Sequence, residues 1–130
     1  MEAQQELFTA FKLALEAKGY AVYDGFLPPE GTAYPFVYIG DFRQSDKEHK
    51  TNLTGSVFPT VHVWHNDPGQ RGTVSQMLLD IKTTARLLQK TGHYSWAVRG
   101  ITQNIFPDTT TKTPLLHGVF EAEFLFSVRS

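Results

Sequence analysis

The residues of this chain best suited to chemistry are five histidines, His49, His62, His65, His93 and His117, and a pair of acids, Glu121 and Glu123. Imidazoles bind metals and move protons near neutral pH. Two carboxylates flanking a bond can act as acid and base. The densest stretch is VFPTVHVWHND, Val57 to Asp67. Val57, Val61 and Val63, with Pro59 in line, fall on one phase of a strand. Phe58, Thr60, His62 and Trp64 fall on the other. His62 and His65 are three positions apart, so a regular strand cannot bring them to one ion. A helix could, but a valine-rich run ending in NDPG is not helical. The stretch therefore reads as a strand, and Pro59 implies an edge position or a bulge. The other histidines lie on scattered loops and strands, and no spacing brings them together.

Other catalytic patterns are missing too. GxSxG, the P-loop, GxGxxG and HExxH are absent. Glu121 and Glu123 share a strand face, where charged alternation is the ordinary state of an exposed sheet. A serine nucleophile stays open, because its partners can come from anywhere in a chain. With no cysteine among 130 residues, disulfides, thiolate metal sites and cysteine nucleophiles are excluded. The expectation is a non-enzymatic chain with no cofactor and no metal.

The elements that would position these residues follow from periodicity. Length favours one domain, 1–130. A hydrophobic content of 41% with ten phenylalanines supports a packed core. Leu7, Phe11, Ala14 and Leu15, with Phe8 beside them, mark an opening helix. Gln4, Glu6, Lys12 and Glu16 take its other side, and Gly19 stops it. A short extended piece, Tyr20–Tyr23, precedes the Pro/Gly loop DGFLPPEGTAYP. In PFVYIGDFRQS, Val37 and Ile39 share one phase with Asp41 next in line; Phe36, Tyr38, Gly40 and Phe42 take the other. Ser45–Gly55 reads as a solvated hairpin loop or a protruding ribbon. After the turn NDPGQRG, a second helix starts at Thr73 in a capping box with Gln76. Its apolar stripe is Val74, Met77, Leu78, Ile81, Ala85 and Leu88, and Gly92 ends it. Two strands close the chain, about Ala97–Phe106 and Leu115–Val128. The second points Gly118, Phe120, Ala122, Phe124, Phe126 and Val128 inward. This order implies an α+β fold: an antiparallel sheet with two helices packed on one face.

The net charge is -1 and the pI about 6.5. Neither a sequence-specific nucleic-acid binder nor a polybasic membrane binder is implied. The acidic start MEAQQELFTAFK does not read as a signal peptide. No apolar run approaches the roughly 20 residues of a membrane helix.

Several segments together resemble the tail-completion, or tail-terminator, proteins of long-tailed bacteriophages and prophages. They are the opening helix ending near Gly19, YPFVYIGD (Tyr34–Asp41), the polar ribbon, VHVWHND (Val61–Asp67) running into a helix, and the terminal HGVFEAEFLFSV. The resemblance implies an α+β subunit that assembles head-to-tail into a ring, six-fold, on the head-proximal end of the tail tube. It implies tail-tube and head-connector proteins as partners, no reaction, no cofactor, and a place in the virion tail after assembly in the bacterial cytoplasm. No functional residue carries over by position. On this reading the polar connections Asp41–Gly55 and Asp108–Pro114 supply reach. The contact candidates are Asp41, Arg43, Asp46, Lys47, Glu48, Lys50 and Asn52. Two rivals stand beside it. One is a head-side neck protein. The other is a small hydrolase or ligand-binding domain with a pocket between sheet and helices lined by His62, Trp64 and Glu121.

Overall fold

Seven elements appear in the computed structural model, which describes residues 2–48 and 53–129. They are α1 (Ala3–Ala17), β1 (Val22–Asp24), β2 (Phe36–Glu48), β3 (Leu53–His65), α2 (Arg71–Leu87), β4 (Tyr94–Asp108) and β5 (Leu115–Val128). The five strands form one sheet in the order β1-β2-β3-β5-β4. The four long strands pair antiparallel, and the short β1 runs parallel to β2. Both helices lie on one face: α1 over β1 and β2, α2 over β3, β5 and β4.

The core is the meeting of three apolar patterns. Leu7, Phe11 and Leu15 of α1, and Val74, Met77, Leu78, Ile81 and Ala85 of α2, are buried. They face Val57, Val61 and Val63 of β3 and Phe120, Phe124 and Phe126 of β5. The Phe11 ring packs against Phe42, Phe120 and Phe124. Gly118 lets α2 approach the sheet, since a Cβ there would stand 2.8 Å from Val74 Cγ1.

Several expectations are corrected. β3 is the central strand, so of the two readings of Pro59 the edge fails and the bulge holds: β2 carries one extra residue between Ile39 and Phe42, opposite Thr60 and next to Pro59. That bulge reverses the phase of β2. Phe42 turns inward against Phe8 and Phe11, and Asp41 is exposed. Thr73 is no cap. The helix begins at Arg71, and the Thr73 hydroxyl donates to Gln70 Oε1. Nor does α2 reach Gly92; it ends at Leu87, because the next residues bond to β4, with Trp96 N–H donating to Gln89 O and Thr91 N–H to Tyr94 O. Val128, expected inward, is exposed where β5 runs past the core.

The polar segment is a protruding two-stranded ribbon up to Glu48 and from Leu53, and residues 49–52, His49 among them, lie outside the described residues. Arg43–Glu48 pairs with Leu53–Phe58, and β5 in turn pairs with β3 as far as Thr54. Gly55 makes the close pairing possible. A Cβ there would stand 2.3 Å from Ser45 O and 2.9 Å from Phe126 Cε2.

Candidate functional site

The face of the sheet away from the helices carries the polar residues that sequence singled out. His62 and Trp64 on β3 and His117 and Glu121 on β5 share the outward phase. The expected pocket between sheet and helices is therefore corrected, since that space is filled by the apolar core. Outside it, His62 Nδ1 and His117 Nε2 lie 2.8 Å apart. One ring N–H donates to the other ring's lone pair. The Trp64 indole stacks on His117 with centroids 3.7 Å apart and planes 9° from parallel. Phe106 meets the same imidazole edge-on. Gly40 makes room for His62, because a Cβ there would stand 3.0 Å from Nε2.

This environment favours neutral imidazoles. Burial, and then the neighbouring His62, push His117 down to about 4, against the pull of Asp108. Burial also lowers His62, partly offset by Glu121 and Asp41. Among the described residues, no three of His, Cys, Asp and Glu gather to hold a metal ion.

The two acids of β5 separate in role. Glu123 accepts from Arg99 Nε at 2.9 Å and from Ser56 Oγ at 2.6 Å. The Arg99 bond, then Ser56, hold it below the usual carboxylate range. A carboxylate so held is a poor general acid. Glu121 is exposed beside it.

The assembly candidates divide by face. Arg43 stacks 4.1 Å over the Phe58 ring on the outer face, where Lys47 also bears on Glu123. Asp41 shares a shallow depression there with Arg43, Glu121 and Glu123. Asp46 points to the helix side and accepts from Gln44 Nε2 at 2.7 Å. Glu48 ends β2 opposite Leu53. Lys50 and Asn52 lie outside the described residues. Gln44 ties this end to α1, accepting from Gln4 N–H at 2.8 Å and donating to Glu2 at 3.0 Å.

At the opposite end of the sheet, β2 begins, β3 and β4 end and β5 begins. A cleft of about 440 Å³ opens there, lined by Leu27, Pro28, Pro29, Tyr34, Phe36, Trp64 and Leu115, with Glu30 and Asp108. Beside it, Phe26 is 93% exposed. Tyr38 pins this loop by donating its hydroxyl to Gly25 O.

Sequence reasoning missed Glu6. It was placed on the solvent side of α1, yet it is only 8% exposed. It accepts from Thr91 Oγ1 at 2.7 Å and His93 N–H at 3.0 Å, and pairs with the His93 ring. Its one sequence signal was its position immediately before Leu7, at the margin of the apolar stripe.

No family model matches this chain, and no curated protein matches it either. Its fold does match solved structures. A chain described as part of the virion of a native gene transfer agent particle superposes with a TM-score of 0.63 at 17% identity, covering 98% of this chain and 95% of that one. A second solved chain gives a TM-score of 0.53 at 17% identity, covering 100% of this chain and 98% of its own. At these identities the likeness is one of fold.

Proposed function

We propose that this chain is a non-enzymatic virion assembly protein: a tail-terminator, or tail-completion, subunit. It would form a ring on the head-proximal end of a phage-type tail tube and join it to the head connector. The observation that carries the reading is the shared fold, end to end, with a chain of a gene transfer agent virion. Two features support it. Distinct surfaces lie at opposite ends of the sheet, the charged β2–β3 ribbon at one and the apolar cleft at the other. A subunit that meets two partners and its own copies needs unlike surfaces, because head-to-tail contacts join different patches. On the outer face, the described residues best suited to chemistry are engaged with partners. Its histidines bond each other, and Glu123 is held by Arg99 and Ser56.

The test is assembly. Purified protein should form closed rings in electron micrographs, six-fold, and the rings should cap one end of tail tubes. Particles lacking the protein should show tubes of uncontrolled length. Tails of normal length that fail to join heads would support the head-side neck reading instead. A protein that stays monomeric and binds neither tubes nor heads would sink both.

A further inference from the structure

The apolar cleft has a chemistry that points to its occupant. Three aromatic residues line it: Tyr34, Phe36 and Trp64. Tyr34 and Phe36 pack 5.2 Å apart, and Phe36 is the cross-strand partner of Trp64. The Trp64 ring is held in plane by its stack on His117. The ionisable groups of the lining are Tyr34, Glu30 and Asp108, and no lysine or arginine belongs to it. Asp108 is held ionised by its bonds from Thr110, both of which fall on Oδ1. The lysine of the adjoining loop, Lys112, lines a separate depression beyond Tyr34 and Thr111.

Aromatic walls attract a cation through their ring faces, and the attraction grows as water is excluded. Two carboxylates without a lining cation add charge complementarity of the same sign. A purely apolar ligand would desolvate those carboxylates without replacing their hydrogen bonds. A phosphate or nucleic-acid backbone would be repelled. The cleft volume is in the range that suits one large side chain with its flanking backbone.

We propose that this cleft receives a basic side chain, an arginine on an extended segment of a partner protein. The guanidinium would lie against Tyr34, Phe36 and Trp64 and donate to Asp108 and Glu30, while its stem covers Leu27, Pro28 and Leu115. Arginine suits the site better than lysine because its flat, weakly hydrated head stacks on aromatic faces and binds carboxylates in a fork. The proposal does not depend on ring formation, so a failure here leaves the assembly reading standing.

The experiment is an NMR titration of the intact protein with an acetylated, amidated Pro-Arg-Pro peptide. The control is its citrulline twin, which keeps shape and loses charge. The arginine peptide should shift the Trp64 indole signal saturably, while the buried Trp96 indole, bonded to Thr91, reports an intact fold. Citrulline should bind at least about tenfold more weakly, and the pair E30Q/D108N should lose a similar factor. Trp64→Leu should abolish the response of the cleft residues with Trp96 unmoved; if it unfolds the protein, E30Q/D108N decides. Equal binding of the two peptides, or none, overturns the proposal. So does tighter binding of tetramethylammonium than of the arginine peptide, which would make the site one for free organic cations.

Discussion

His62 Nδ1 and His117 Nε2 sit 2.8 Å apart on neighbouring strands, under the stacked indole of Trp64. Two imidazolium ions cannot share that spacing, so taking up a second proton must break the pair.

The sign of the pH effect follows. His117 is pushed down to about 4 and His62 also lies below its ordinary value. The unfolded chain therefore takes up protons first, and these residues lower stability as pH falls below about 6.5. The part of the loss that comes from His117 levels off below about 4. Replacing His117 with phenylalanine should flatten the fall in Tm between pH 6.5 and 5. An unchanged slope in thermal melts would show that the pair does not titrate as described.

Glu6 acts in the same direction, in a lower pH window. Burial raises its pKa, but the His93 N–H, Thr91 and the His93 ring outweigh that and leave it lowered. Its stabilisation is present above about 4.5 and is lost as pH falls through the folded value. Glu6→Gln keeps the volume and removes the charge. It should cost about 1–3 kcal/mol at pH 7 in urea unfolding and much less at pH 3. Equal costs at both pH values would refute the charge-based account.

Thr84 lies buried in α2, and its Oγ1 has no hydrogen-bond partner among the described residues. Thr84→Val keeps the shape and removes the unpaired hydroxyl. It should stabilise by about 1 kcal/mol. A destabilised variant in denaturant titration would mean that the hydroxyl is satisfied in solution.

Two glycines should respond with opposite signs. Gly55→Ala places a methyl 2.3 Å from Ser45 O and should destabilise by about 1–3 kcal/mol. Gly72 stands in the first turn of α2 with open space around it. Gly72→Ala should stabilise by up to about 1 kcal/mol. Calorimetry on both variants checks the pair, and a stable Gly55→Ala protein would contradict the close pairing of the ribbon.

Phe26 tests the assembly proposal. At 93% exposure it contributes little to the fold, so Phe26→Ser should change stability by no more than about 0.5 kcal/mol. An exposed aromatic on a pinned loop is the type of residue that anchors interfaces. The variant should therefore weaken self-association in sedimentation experiments. Unaltered association would remove this loop from the contact.

The sheet and helices were legible because their patterns are strong. The alternation Gly118, Phe120, Ala122, Phe124, Phe126 and the stripe from Val74 to Ala85 each have one reading. What was hidden depends on distant partners. Phe42 looks outward until a bulge at Gly40–Asp41 reverses the phase. Glu6 looks like a solvent residue until the chain after α2 returns over it. The ribbon is polar because it lies at the sheet's end, and polarity resembles a loop when its pairing partner is unseen. His62 and His117 are 55 residues apart, so no local spacing reveals them. The arrangement of the cleft is non-local as well, since β2, β3, β4 and β5 each send one end to it.

The irregularities of the sheet fall at one level. β2 bulges between Ile39 and Phe42, and β4 between Arg99 and Thr102, where Gly100 takes φ 61°. Between them, on the central strand, stands Pro59. Bulges bend and twist the strands that carry them. A transverse line of irregular pairing thus marks β2 and β4 at the same level, on either side of Pro59. The two bulges and Pro59 thus divide the sheet into two fields, the charged ribbon on one side and the cleft with the histidine pair on the other.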